Sequence, residues 1–216
     1  MKPEIERVIR PRELARKSYN AMSRWYDLFT NSEKRFTDIG IKILDVKQNE
    51  SVLEIGCGTG HALTAFTDRK GGKVIAMDIS EGMIKVARRR IQNKMRERSV
   101  EFCQADGLFI PFPDEYFDTL FLSFTLELFD TPEIPRVLRE CNRVLKTGGR
   151  IGVVSLAKQN TFAVRVYEWF HRKMPNFIDC RPIFAKRVLQ EARFIIQFSS
   201  IETMWGLPVE IITGRK

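Results

Sequence analysis

No apolar run in this chain approaches the roughly 18 residues that a membrane-spanning helix requires. The opening stretch, MKPEIERVIRPREL, also lacks the apolar core of a secretory signal. Cysteine is sparse and scattered: Cys57, Cys103, Cys141 and Cys180 form no Cys-x-x-Cys pair, and only two histidines accompany them. That pattern argues against a zinc cluster and a disulfide framework, predicts no bound metal, and fits a reducing cytoplasm. No internal repeat or low-complexity linker interrupts the chain. Acidic residues are in deficit, with 27 Asp and Glu against 36 Lys and Arg, a net charge of +9. A basic balance of this kind suits a solvated surface, a nucleic acid or an anionic membrane, and composition does not separate the three.

What is present is enough for one folded unit. The chain has 216 residues, 44% of them apolar, which suits a single α/β domain with its own core. Its organising stretch is Ser51 to Gly60, SVLEIGCGTG. Ser51–Ile55 has the β-branched, apolar character of a short buried strand. Gly56, Gly58 and Gly60 follow at once, so the backbone turns sharply with no side chain in the way. A helical pattern begins at His61. Strand, glycine turn and helix N-terminus together make a pocket for a nucleotide-like ligand.

Strands and helices alternate around this motif. The charged residues 1–12 read as an arm. A helix from Glu13 puts Tyr19, Met22, Tyr26 and Phe29 on one face, and Ser32 caps a second helix with Phe36, Ile39 and Ile43 facing inward. Further strands are expected at Lys73–Ile79, Val100–Gln104, Thr119–Phe124 and Ile151–Ser155. Between them, Ser80 caps a helix whose apolar side is Met83, Ala87 and Ile91 and whose other side, Lys85 to Lys94, is strongly basic. Thr131 and Pro132 read as the start of a helix that Gly148–Gly149 ends. An aromatic helix over Thr161–Lys173, a second over Ile183–Arg193 and two closing strands without a helix between them complete the chain. The expected fold is therefore a Rossmann-like α/β domain. Its sheet has seven strands, mostly parallel, with an antiparallel edge and helices on both faces.

The ligand is constrained by what the glycine motif omits. His61 stands where a dinucleotide fingerprint has its third glycine or alanine, and no Gly-Lys-Ser/Thr follows to make a triphosphate loop. Instead, acids stand at three successive strand ends: Glu54, Asp78 and Asp106. A carboxylate at the end of the second strand accepts both hydroxyls of a ribose. None of the three is matched to a phosphate, and together they suit a cationic, phosphate-free ligand such as S-adenosylmethionine.

These pieces resemble one family. VLEIGCGTG at 52–60, DISEGMIKVAR at 78–88, the Gln104-Ala105-Asp106 step, IPFPDEYFD at 110–118 and RVLKTGGR at 143–150 occur in order and at natural spacing. Over roughly residues 50–155 the chain resembles the class I S-adenosylmethionine-dependent methyltransferases, and among them the ubiquinone/menaquinone-biosynthesis C-methyltransferases. The resemblance implies that Glu54, Gly56, Cys57, Gly58, Thr59 and Gly60 line the methionine part of the cofactor. It further implies that Asp78 holds the ribose, that Ile79 and Met83 lie beside the adenine, and that Ala105, Asp106 and Gly107 meet its edge. Ser123 would face the sulfonium region, and Tyr26 would close over the cofactor. On this reading residues 1–45 are a helical lid, 46–155 the cofactor core and 156–216 the acceptor side.

The acceptor is less constrained. After the fourth strand the chain reads SFTLELFDTPE at 123–133, a departure from the quinone enzymes' own signature. Glu127 and His171 are the candidate catalytic groups, each with an ordinary alternative as a helix-start carboxylate and a capping histidine. Arg181 is a candidate for binding an acidic group of the substrate, or for pairing with Asp179 as a fastener. The expected acceptor is a small, lipophilic molecule such as a quinol precursor, with a phospholipid amine next. An RNA or protein methyltransferase and a non-catalytic S-adenosylmethionine-binding regulator are further alternatives. No nucleic-acid module is appended, so nucleic acid is not expected as a partner, whereas peripheral contact of the cytoplasmic enzyme with an anionic membrane is.

Overall fold

The computed structural model of the chain describes residues 7–8, 12–22, 31–67, 72–94, 100–174 and 180–216. Seven strands form one sheet: β1 (Val52–Ile55), β2 (Val74–Asp78), β3 (Val100–Gln104), β4 (Phe117–Ser123), β5 (Leu145–Leu156), β6 (Ile195–Met204) and β7 (Leu207–Arg215). Their spatial order is β3-β2-β1-β4-β5-β7-β6. The pairings from β3 through β5 are parallel, while β7 runs antiparallel to both β5 and β6. The expected mostly parallel sheet with an antiparallel edge is thus the observed one, and the reversed strand β7 lies just inside edge strand β6.

The central strands are apolar on both faces because helices cover both faces. Every residue of β1 and β2 is buried. Leu53, Ile55, Ile75, Met77, Leu120 and Leu122 point to a core closed by α5 (Ile134–Val144) and α7 (Ala185–Glu191). Val52, Val74, Ala76 and Phe121 point to the opposite core. That one is closed by α2 (Asn31–Leu44), α3 (His61–Thr67), α4 (Glu81–Lys94) and, through Val164, α6 (Phe162–Lys173). Helix α1 (Arg12–Met22) lies against α4, where Asn20 Oδ1 accepts hydrogen bonds from Ser80 Oγ at 2.7 Å and Gly82 N at 2.9 Å. The backbones meet so closely there that a Cβ on Gly82 would stand 2.8 Å from the Asn20 Cα.

Four local expectations shift. The inward face of α2 is Phe36, Gly40, Ile41 and Leu44, with Ile39 and Ile43 only partly buried. Gly40 brings the helix so near β5 that an added Cβ would lie 2.6 Å from Val154 Cγ2, and that contact sets the helix rotation. Helix α5 starts at Ile134, with Glu133 at its cap and Pro135 in its first turn; Thr131 and Pro132 precede it. The Asp130 carboxylate instead organises this corner: it accepts from Thr131 N at 2.8 Å and Val8 N at 2.9 Å and pairs with Arg7 at 2.6 Å. Gly148 and Gly149 do not end α5 but lie inside β5. There the pairing with β4 jumps from Phe117↔Leu145 to Thr119↔Arg150. Finally, α7 is shorter than expected, because Ile183 bridges to Ala157 as an extension of the sheet.

The tight α2–β5 contact makes a prediction. Gly40→Val overfills it and is expected to lower unfolding free energy by about 1–3 kcal/mol, read from urea denaturation with an unchanged m-value.

Candidate active site

In an open parallel sheet, ligands bind beyond the carboxyl ends of the strands, where neighbouring strands diverge in their connections. Strand β1 sits at that point here, between β2 and β4. Beyond the ends of β1 to β4 lies one cleft enclosing about 1210 Å³, the space at its mouth included.

The glycine turn forms its floor. Gly56 N and Cys57 N both donate to Met77 O, at 2.8 and 3.0 Å, which stitches the turn to the end of β2. Gly60 N closes the turn onto Cys57 O at 2.9 Å. Gly58 has a φ of +51° and nothing within 4 Å of where a Cβ would stand, so its backbone faces open space. Asp78 holds the turn from the other side. Its Oδ2 accepts from Gly58 N at 2.9 Å and its Oδ1 from Ser80 N at 2.8 Å. Burial raises the Asp78 carboxyl above its ordinary range, and the hydrogen bonds from Ser80, Gly58 and Ile79 work against that shift.

Glu54 also lines the cleft. Its Oε2 is buried and makes no hydrogen bond among the described residues. Burial, with Asp78 close by, pushes its carboxyl well above the usual carboxylate range. A buried acceptor facing the cleft without a partner is a group that a cationic ligand satisfies. Burial, Asp78 and Glu54 together also push the Cys57 thiol well up, which leaves it a neutral space-filler.

Of the residues expected at the cofactor, Glu54, Gly56, Cys57, Gly58, Thr59, Asp78, Ile79, Met83, Ala105, Asp106, Gly107 and Ser123 all line this cleft. Gly60 is buried just beneath it, where an added Cβ would meet Ala87 at 2.9 Å. Asp106 is at once a turn-former, its Oδ1 accepting from Leu108 N at 3.0 Å. Tyr26 lies outside the described residues.

Residues 52–149 match the family described as a methyltransferase domain. Over those residues the chain is similar to a methyltransferase domain. The ubiquinone/menaquinone biosynthesis C-methyltransferase of Teredinibacter turnerae is 33% identical over 162 residues, which are 74% of this chain and 61% of that one. The demethylmenaquinone methyltransferase of Lactobacillus johnsonii is 28% identical over 74% of this chain and 65% of its own length. The chain thus spans less than two thirds of the length of these curated relatives. Magnesium protoporphyrin IX methyltransferase from Synechocystis PCC 6803, solved with bound S-adenosylhomocysteine, shares the fold at a TM-score of 0.78. Its identity is 15%, over 95% of this chain and 100% of that one. The residues of the cleft fit S-adenosylmethionine: an open glycine cradle, the buried Glu54 Oε2 without a hydrogen bond among the described residues, and the carboxyl groups of Asp78 and Asp106.

Several wall residues of the domain were not foreseen. Glu33, Lys34 and Thr37 reach the cleft from α2; Tyr19, on the α1 face expected over the pocket, reaches it too. Thr37 Oγ1 lies 2.7 Å from Ser123 Oγ, joining α2 to the end of β4. His61 lines the cleft and its Nε2 meets Asp38 Oδ1 at 2.8 Å. The signal was available as a polar stripe, Lys34, Thr37 and Asp38, at helical spacing on α2. Phe124, Leu128 and Phe129, after β4, supply an apolar wall.

The three acceptor-side candidates do not line the cleft. Glu127 is fully buried, and its Oε1 accepts from Leu156 N at 3.1 Å. Arg181 is fully buried and donates through Nη2 to Phe129 O. Both therefore brace the segment carrying Leu128 and Phe129, which wall the cleft. Asp179 lies outside the described residues. His171 is buried on the inner side of α6.

Two predictions follow from this geometry. Asp78→Asn replaces a carboxylate that accepts from two backbone amides, and is expected to weaken S-adenosylhomocysteine binding about tenfold to a hundredfold by calorimetry. The second concerns Glu127, whose carboxyl burial pushes from 4.5 to about 8. The folded form thus keeps a proton that the unfolded chain releases above pH 4.5, so stability falls as pH rises toward 8 and levels off beyond. Melting temperatures of wild type are expected to fall over that range relative to Glu127→Gln, which retains the Leu156 hydrogen bond without the titration.

Proposed function

We propose that this protein transfers the methyl group of S-adenosylmethionine to a small, lipophilic acceptor of the quinol-precursor type. The observation that carries the proposal is one continuous cleft in which the acidic strand ends and glycine turn share space with the apolar wall of Phe124, Leu128 and Phe129. An apolar wall at that position suits an aromatic or prenylated acceptor. The relatives named as quinone-biosynthesis C-methyltransferases support the same acceptor class. In this reading residues 46–155 are the cofactor core, 1–45 the lid and 156–216 the acceptor side.

When bound, S-adenosylmethionine supplies a methyl group on a positively charged sulfur. The chain's own task is placement. Glu54 and Asp78 would set a negative potential over the glycine turn, Asp78 would take the ribose hydroxyls on its remaining lone pairs, and Met83 and Ile79 would flank the adenine. Ser123 and Thr37, joined to each other, border the space where an acceptor atom lines up with the methyl carbon. Phe124, Leu128 and Phe129 keep that space dry, which strengthens alignment and removes competing water. Glu127 and Arg181 act one step back, as positioning residues that hold this wall.

The test is incubation of the protein with methyl-labelled S-adenosylmethionine and a cell extract, followed by separation of lipid, RNA and protein fractions. Label is expected in the lipid-extractable fraction. Label confined to RNA or protein overturns the acceptor class, and cofactor binding without transfer to any fraction overturns the enzymatic reading.

A further inference from the structure

Helix α6 is turned inside out. Its inner face carries Val164, His171 and Glu168, the last ion-paired with Lys158. Its aromatic side points to solvent. Phe162 is 75% exposed and Trp169 48%, with Phe170 and Met174 also exposed. Trp169 and Phe170 pack edge to face at 4.9 Å between centroids, so they form one patch. Arg165, Arg172 and Lys173 are interleaved with them and exposed. Glu168 is the sole acid of the helix, and it is buried.

A second element extends the patch. The β6–β7 hairpin turns at Trp205 and Gly206, with φ of +50° and +82°. A left-handed backbone is costly for a bulky residue, yet Trp205 is 77% exposed and gains little burial in return. A Cβ on Gly206 would come within 4.0 Å of Ala163 Cβ, so the hairpin tip abuts the first turn of α6 beside Phe162.

We propose that the outer face of α6 and the tip of the β6–β7 hairpin dock this protein on an anionic lipid bilayer. Trp205, Phe162 and Trp169 would enter the headgroup boundary, where aromatic rings are favoured, and Arg165, Arg172 and Lys173 would meet lipid phosphates. Charge complementarity selects this occupant: aromatic rings interspersed with cations on a helix whose one acid is buried match an anionic interface. The basic side of α4, also considered from sequence, is a poorer candidate. Lys85 is paired with Glu81 at 2.7 Å, Arg88 stacks over Phe102 at 5.2 Å, and Arg90 reaches Thr59 at 3.2 Å. The inference stands apart from the methyl acceptor, because it rests on surface residues outside the cleft.

The test is flotation of the purified chain with phosphatidylcholine vesicles, with and without phosphatidylglycerol, at low and high salt. Wild type is expected to float only with the anionic vesicles and less at high salt. Trp169→Ser with Trp205→Ser is expected to weaken partitioning about tenfold or more. Arg165→Gln with Lys173→Gln is expected to weaken it and flatten the salt dependence. Both double variants should keep wild-type affinity for S-adenosylhomocysteine, which separates docking from folding and from the cofactor site. Absence of vesicle binding by wild type, or wild-type binding by both variants, overturns the proposal. So does loss of binding in Lys85→Gln with Arg89→Gln alone. A wild-type dimer that the tryptophan variant dissociates would instead make this face a contact between two copies of the chain.

Discussion

The site depends on one carboxylate. Asp78, at the end of β2, accepts Gly58 N with one oxygen and Ser80 N with the other. It thereby ties the glycine turn after β1 to the entry of α4. Charge-assisted hydrogen bonds of this kind are about twice as strong as neutral ones. Because both oxygens are already oriented by backbone, the lone pairs left over point in a defined direction before any ligand arrives. Ser80 carries the tie further: its hydroxyl caps Met83 N and reaches Asn20 of α1, so helix α1 is referenced to the same acid.

Around that tie the domain buries groups that water would otherwise solvate. Glu54 and Glu127 each keep a carboxyl oxygen buried without a hydrogen bond among the described residues. Burial answers by raising both carboxyls, so neither needs to carry a full charge in the free protein. The two differ in what they face. Glu54 borders the cleft, where a cation can restore its charge, whereas Glu127 faces the protein and serves to hold β5 against the segment after β4. Arg181, from the far end of the chain, steadies that segment through Phe129 O. An apolar wall next to a reacting centre must not drift, and these two polar groups fasten its backbone so that its side chains are free to be apolar.

Much of the cofactor side was legible beforehand because it is written locally. A strand, a glycine turn and an acid some twenty residues on are consequences of short-range backbone geometry, and Glu54, Gly58 and Asp78 stand where that geometry demands. The errors were equally physical. Ile39 and Ile43 of α2 gave way to Ile41 and Leu44 because Gly40 lets the helix approach β5, and periodicity alone does not report how close two backbones come. Thr131 resembled a helix cap, but the Asp130 carboxylate and its long-range partners Arg7 and Val8 organise that corner. The aromatic helix expected over Thr161–Lys173 is present as α6, but its aromatic residues face solvent, since an apolar stripe does not say whether core or solvent lies beside it.

The sequence by itself determined the order of strands and helices, the glycine cradle and the acids that border it, all of which arise within short windows of chain. Only the tertiary structure decided what stands across from them. It brought Glu33, Lys34 and Thr37 of α2 to the cleft, drew Glu127 and Arg181 away from it into bracing roles, and left Phe162, Trp169 and Trp205 outside. Those outcomes depend on which surfaces meet when seven strands close into one sheet, and contacts between residues a hundred positions apart leave no periodic trace in the chain.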